Sequence, residues 1–120
     1  MKYIIDSVVL MNQAQQFCPV YASIDVLQEK WVLHIIRQLL KGSSGFNEMS
    51  RAVGVNSVTL SNRLARLEEL GLVSRRVEST IPPKTSYTLT AAGLELEGVI
   101  SAVESWGRKY IREDMFCVPA

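Results

Sequence analysis

Histidine is nearly absent from this sequence, and so are the residue combinations that are typical of catalytic, metal-binding and phosphate-binding sites. His34 is the only histidine among 120 residues, so it lacks partners for a catalytic triad or a metal site. No cluster of metal-ligating residues and no glycine-rich phosphate loop accompanies it. We therefore expect neither an enzyme nor a bound cofactor. His34 lies within an apolar helical pattern, which favours a packing or surface role.

Long uninterrupted apolar runs are missing as well. The apolar segment 3–11 resembles a signal peptide, but Asp6 and Ser7 interrupt it and no clear small-residue cleavage site follows. No run approaches the roughly 18 residues that a membrane span requires. We therefore expect a cytoplasmic protein. With 48% hydrophobic residues and no low-complexity tract, the chain is long enough for one folded domain.

A strong net charge is absent too, since the chain carries only +1 at neutral pH. The charges are nevertheless unevenly distributed. Residues 41–90 contain seven basic and four acidic side chains, whereas residues 91–120 contain three basic and five acidic ones. A basic middle and an acidic tail are compatible with a DNA-binding face and a separate assembly face.

Apolar periodicity predicts three helices before residue 54. A short helix is expected over 20–27, behind Cys18 and Pro19, and a strongly apolar one over 31–40. The glycine- and serine-rich segment 42–45 ends the second of these, and its serine is expected to cap the next helix, 46–53. The segment 1–17 is predicted to be either an arm that packs on a partner subunit or a frayed terminus.

Helix 46–53, a tight turn at Gly54 and a helix from Asn56 to Leu70 form a helix-turn-helix pattern. The second helix carries a leucine stripe, with small, hydrogen-bonding or basic residues opposite. The stripe consists of Leu60, Leu64 and Leu67. Such a helix suits a DNA major groove, although the helix taken alone could also be an ordinary surface helix.

Two short strands and a long helix follow. Strands are predicted over 72–77 and 86–90, joined by a loop, 78–85, because Pro82 and Pro83 cannot donate to a strand ladder. The two strands and their loop form a wing that is basic because it carries Arg75, Arg76 and Lys84. This wing would lie along a phosphate backbone or enter a minor groove. Thr90 is expected to cap a helix over 91–112. Its apolar side chains, which predict a dimer seam or packing on the N-terminal helix, are Leu94, Val99, Val103, Trp106 and Tyr110.

In order and spacing, these residues resemble the HxlR family of bacterial and archaeal winged helix-turn-helix transcriptional regulators, which are relatives of the MarR group. The resemblance is carried by Cys18-Pro19-Val20, Lys30-Trp31, Phe46, Glu48-Met49, Leu60-Ser61, Arg63-Leu64, Gly71-Leu72-Val73, Arg75, Pro82-Pro83-Lys84, Tyr87-Thr88-Leu89-Thr90 and Gly93. It implies a mainly α fold with a small β-hairpin wing (α+β) and a homodimer built from N- and C-terminal helices. The single domain, 1–120, would comprise an arm (1–17), a DNA-binding core (18–90) and a dimerisation helix with tail (91–120).

The resemblance has two departures. Gly45 stands where the family commonly has a basic residue, and Ser57 and Val58 stand where it commonly has proline and a basic residue. We therefore expect weaker or differently directed DNA contacts, with Val58 meeting a thymine methyl group.

We expect sequence-specific binding of a homodimer to a pseudo-palindromic operator in double-stranded DNA, with a winged helix used for protein contact as the alternative. The expected groove contacts are Ser57, Val58, Thr59, Ser61 and Asn62. Arg63 and Arg66 are expected to reach phosphates or guanine, and the wing contacts are Arg75, Arg76 and Lys84.

Cys18 is a candidate redox-sensing residue. In some members of the resembled family, a cysteine at this Cys-Pro position senses oxidants or electrophiles. A helix N-terminus also favours a thiolate. The alternative is a buried, inert thiol. Cys117 is a candidate partner across a dimer.

Overall fold

The computed structural model describes residues 17–116. The expected arm, apart from the exposed Phe17, and Cys117 lie outside the described residues. The helices are α1 (Pro19–Leu27), α2 (Val32–Leu39), α3 (Phe46–Val53), α4 (Ser57–Glu69), α5 (Ala91–Leu94) and α6 (Glu97–Tyr110), with a 3-10 turn at Glu113–Met115. The strands are β1 (Ser44–Gly45), β2 (Val73–Thr80) and β3 (Pro83–Leu89). No helix in the range 17–116 is long and apolar enough to cross a membrane.

One hydrophobic core holds the helices and the sheet together. Its centre is α2, whose apolar positions recur at helical spacing and are almost fully buried. The leucine stripe of α4 packs into the same core, which confirms the predicted orientation of that helix. The buried core residues are Val32, Ile35, Ile36, Leu39, Met49, Val55, Leu60, Leu64, Leu67, Val73, Tyr87 and Leu89.

The helix-turn-helix and its wing confirm the predicted fold class, a mainly helical winged helix-turn-helix. The three-stranded antiparallel sheet has the order β1-β3-β2. Strand β1 was not predicted, because two residues are too few to show a periodicity. Ser44 pairs with Tyr87 in this strand and donates from Oγ to Glu48 Oε1 at 2.8 Å. The expected serine cap is therefore wrong, since Gly45 occupies the N-cap position of α3.

The wing hairpin is longer than the sequence predicts. Strands β2 and β3 pair from Val73–Leu89 out to Thr80–Pro83, with an irregularity between Val77 and Ser79. The predicted loop over 78–85 is wrong, because only residues 81–82 separate the strands. Pro83 is tolerated there because it is the first residue of its strand, where a missing N–H costs least.

Two further helix boundaries differ from the sequence expectation. Trp31 is not part of α2 but precedes it, with φ of 79°, a left-handed conformation. The single helix expected over 91–112 is two helices, α5 and α6. Neither proline nor glycine occupies the break at 95–96, so packing rather than a local signal sets it. Gly93 is buried beside Leu72 and Leu89, and Leu96 packs against the core.

Candidate nucleic-acid interface

The turn between α3 and α4 has the geometry of a helix-turn-helix. Gly54 adopts φ of 81°, a left-handed conformation that glycine accepts without strain, and donates to the Ser50 carbonyl at 2.9 Å. Ser50 Oγ donates to the Val55 carbonyl at 2.7 Å, and Val55 is buried. Asn56 caps α4 by accepting the Thr59 N–H at 2.8 Å. The predicted turn and cap are therefore confirmed.

The outer face of α4 carries the predicted groove residues. Ser57, Val58, Ser61 and Asn62 are exposed, and Thr59 is half-buried. Val58 is 70% exposed although it is apolar, and its neighbours on this face are small or hydrogen-bonding. A convex face of this kind can enter a major groove and present amide, hydroxyl and methyl groups to base edges.

The far end of α4 is held by the segment that leads into α5. Gly71 has φ of 77°, and the Leu72 N–H bonds the Leu67 carbonyl at 2.9 Å, which closes the helix in a Schellman-type cap. Thr90 Oγ1 donates to the Gly71 carbonyl at 2.6 Å and accepts the Gly93 N–H at 3.3 Å. Thr90 thus caps α5, as predicted, and also joins α5 to the end of α4.

Arg63 and Arg66 lie on one flank of α4 and are engaged within the chain. Arg63 Nε donates to the Lys30 carbonyl at 2.8 Å, and its Nη1 is 3.4 Å from Glu29 Oε1. Arg66 Nε is 3.6 Å from Glu29 Oε2. These contacts within the chain do not test whether the two arginines bind DNA, so their expected role stays a prediction. Sequence reasoning missed Glu29, because no local pattern links residues 33 or more positions apart.

The wing brings the other basic residues onto the hairpin. Arg75, Arg76 and Lys84 are all exposed, and Lys84 pairs across the strands with Ser79 near the hairpin tip. Arg75 is the cross-strand partner of Tyr87. Burial raises the pKa of the Tyr87 phenol, against the lowering effect of the Arg75 charge, so this phenol stays neutral at physiological pH. Tyr87 therefore does not change the charge of the wing near neutral pH.

Cys18 occupies the N-cap of α1, as the Cys-Pro pattern predicts. Its half-buried side chain accepts the Tyr21 N–H at 3.5 Å. The thiol therefore lies at the positive end of a nine-residue helix. Within residues 17–116, no group of three or more histidine, cysteine or acidic residues could hold a metal ion.

Apolar side chains remain exposed along α1 and α6. On α6 they recur at helical spacing, and Trp106 is 59% exposed while its ring lies 5.7 Å from that of Tyr110. The exposed apolar residues of the two helices are Val20, Tyr21, Ile24, Val99, Val103, Trp106 and Tyr110. Together these side chains leave an extended apolar surface exposed on the described part of the chain.

Comparisons with known proteins agree with this geometry. The family model for HxlR-like helix-turn-helix proteins matches residues 26–115. The HTH-type transcriptional regulator sll1512 of Synechocystis is 34% identical over 98 residues, 81% of this chain and 73% of that protein. The reduced form of the transcriptional regulator YodB from B. subtilis has a TM-score of 0.69 at 28% identity, covering 81% of this chain and 97% of YodB. The redox regulator HypR in its oxidized form has a TM-score of 0.71 at 32% identity, covering 79% of this chain and 99% of HypR.

Proposed function

Because this chain belongs to the HxlR-like helix-turn-helix family of transcriptional regulators, we propose that it binds double-stranded DNA sequence-specifically as a homodimer. Its operator is pseudo-palindromic, with half-sites separated by one or two helical turns of roughly 34–36 Å each. The protein acts in the cytoplasm, where it has access to that DNA. It regulates transcription by occupying the operator rather than by catalysing a reaction.

The outer face of α4 carries this proposal. Asn62 is exposed near the middle of that face and is able to bond the N6 and N7 atoms of one adenine together. Ser57 and Ser61 supply hydroxyl groups, and Val58 supplies an apolar contact for a thymine methyl group. The first turn of α4 contains no cation, so base reading here depends on hydrogen bonds and shape.

The wing supplies affinity without reading sequence. Lys84, Arg75 and Arg76 lie on the hairpin that follows α4, where they would neutralise phosphates on either side of the groove. Contacts of this kind release counterions, so they weaken as salt concentration rises. The homodimer is supported by the apolar side chains that remain exposed along α1 and along α6.

Two alanine variants separate base reading from phosphate binding. The probes are the best duplex selected from a random double-stranded library, its single-base variants, and a random duplex of equal length. Asn62→Ala should cost about 1–3 kcal/mol at one base position and leave binding to the random duplex unchanged. Lys84→Ala should weaken binding to every duplex and reduce the slope of log K against log salt by about 1.8, which is about 0.9 for each protomer of the dimer. Fluorescence anisotropy at several salt concentrations measures both effects.

Arg37→Ala is the matched control for the loss of one positive charge. The pKa of Glu104 is lowered mainly by its hydrogen bond to Arg108 and further by Arg37, which places Arg37 near α6 rather than on the wing. Its removal should leave the salt slope unchanged. A wild-type protein whose DNA binding is weak and insensitive to salt would support the alternative, a winged helix used for protein contact.

We further propose that oxidation or alkylation of Cys18 changes DNA binding. The support is its position at the N-cap of α1, beside the exposed apolar row, together with the similarity to HypR and YodB, whose solved forms include oxidized HypR and quinone-bound YodB. Treatment with diamide or a quinone should change operator affinity in wild type but not in Cys18→Ser. Non-reducing electrophoresis of wild type and Cys117→Ser then tells whether Cys117 is the partner. Unchanged affinity after complete modification of Cys18 would refute the sensor role.

A further inference from the structure

One carboxylate ties the recognition helix, α4, to the loop between α1 and α2. The two oxygens of Glu29 lie 3.4 Å from Arg63 Nη1 and 3.6 Å from Arg66 Nε. Arg63 also donates from Nε to the Lys30 carbonyl at 2.8 Å. Because residues three positions apart share one flank of a helix, a single acid can hold both guanidinium groups. We refer to Glu29, Arg63 and Arg66 as the arginine clamp.

The backbone of the loop fits the clamp. Trp31 has φ of 79°, a conformation that a bulky side chain disfavours. The carbonyl that accepts the hydrogen bond from Arg63 belongs to Lys30, so it lies in the peptide group directly before Trp31. The hydrogen bond therefore stabilises the orientation of that peptide group. Lys30 Nζ lies 5.3 Å from the centroid of the Trp31 ring, which adds a cation–π contact to the same loop.

The clamp changes the charge that α4 can offer to DNA. The Glu29 side chain is 32% exposed and that of Arg63 is 24% exposed, so solvent screens this pair less than a fully exposed one. One negative charge faces two positive ones, and the cluster therefore carries a net charge of only +1. A free arginine on this flank would raise affinity for any sequence, because phosphate contacts do not distinguish bases.

We propose that Glu29 is a specificity-determining residue and that Arg63 is a positioning residue. Glu29 withholds the two guanidinium groups from DNA phosphates, and Arg63 fixes α4 to the loop that begins α2. The proposal rests on the proposed function, since specificity requires DNA binding. It assigns Arg63 an internal role in place of the DNA contact that the sequence suggests. Discrimination between base sequences then depends on the uncharged side chains on the outer face of α4.

Glu29→Gln tests the charge role because it keeps the shape of the side chain and removes its charge. The variant should bind the random duplex more tightly. Its salt slope should be steeper by about 1.8, which is about 0.9 for each protomer of the dimer and an additional factor of about 12 in affinity between 50 and 200 mM salt. The ratio of selected-duplex to random-duplex affinity should fall. Asp25→Asn is the matched control, because Asp25 is an exposed acid on α1 that forms no ion pair with any of residues 17–116. Its salt slope should equal that of wild type, and a wild-type slope in Glu29→Gln would overturn the specificity role.

Hydrogen exchange without DNA tests the positioning role separately. The Val32 N–H donates to the Glu29 carbonyl at 3.1 Å and reports on the loop. It should exchange faster in Arg63→Lys, which keeps the charge but loses the Nε hydrogen bond, and as in wild type in Asp25→Asn. Wild-type exchange in Arg63→Lys would overturn the positioning role. A wild-type protein without salt-dependent DNA binding would instead refute the proposed function and the specificity role, while the exchange rates would still decide the role of Arg63.

Discussion

A Val103→Asp variant is expected to be monomeric in solution and to bind the selected duplex about 100- to 10,000-fold more weakly than wild type. Val103 lies in the middle of the exposed apolar row of α6, near Val99 and Trp106. A carboxylate buried in an apolar seam without a partner opposes association strongly. Loss of the second half-site contact removes the avidity that a dimer gains on a two-fold operator. Sedimentation velocity gives the oligomeric state, and anisotropy gives the affinity.

The matched control for this variant is Ser101→Asp. Ser101 is exposed on the same helix, about 160° around its axis from Val103, and the substitution introduces the same charge. It should remain dimeric with nearly wild-type affinity. Because Val103 is itself 53% exposed in the chain, its replacement should leave the folded protomer intact, which circular dichroism checks. A dimeric Val103→Asp protein with wild-type affinity would show that the seam lies elsewhere.

Gly93→Ala should lower the free energy of unfolding by about 1–3 kcal/mol. A Cβ atom at this position would collide with the Leu72 carbonyl oxygen, which is backbone and cannot rotate away, and would lie 2.9 Å from Leu89 Cδ2. The same carbonyl accepts the Thr90 N–H at 3.0 Å. The methyl group would therefore push α5 away from the end of the recognition helix and weaken operator binding as well as stability. Urea unfolding followed by tryptophan fluorescence measures the loss.

Gly107→Ala is the control for this substitution. Gly107 also lies in a C-terminal helix, but a Cβ atom there has no neighbour within 4 Å. An alanine in a helix interior should stabilise the protein by about 0.5–1 kcal/mol relative to glycine. If Gly93→Ala unfolded at the same urea concentration as wild type, α5 would not be packed against Leu72 in solution.

The helix-turn-helix could be predicted from sequence because its signals are local. The leucine spacing of α4, the glycine at position 54 and the cap at Asn56 each act within a few residues, and the structure places all three as expected. The basic wing was also predictable as a hairpin. Its length was not, because Pro83 weakens a strand prediction although it occupies a position where its missing N–H does no harm.

The sequence by itself determined the order of the first four helices and the two hairpin strands, the buried face of the recognition helix and the residues that its outer face presents. Only the tertiary structure decided where α5 ends, which strand completes the sheet and what Arg63 contacts. These features depend on residues far apart in the chain: Arg63 meets Lys30 across 33 positions, and Ser44 pairs with Tyr87. Periodicity and capping report the conformation of one segment, whereas such contacts exist only after the segments have packed around the shared core.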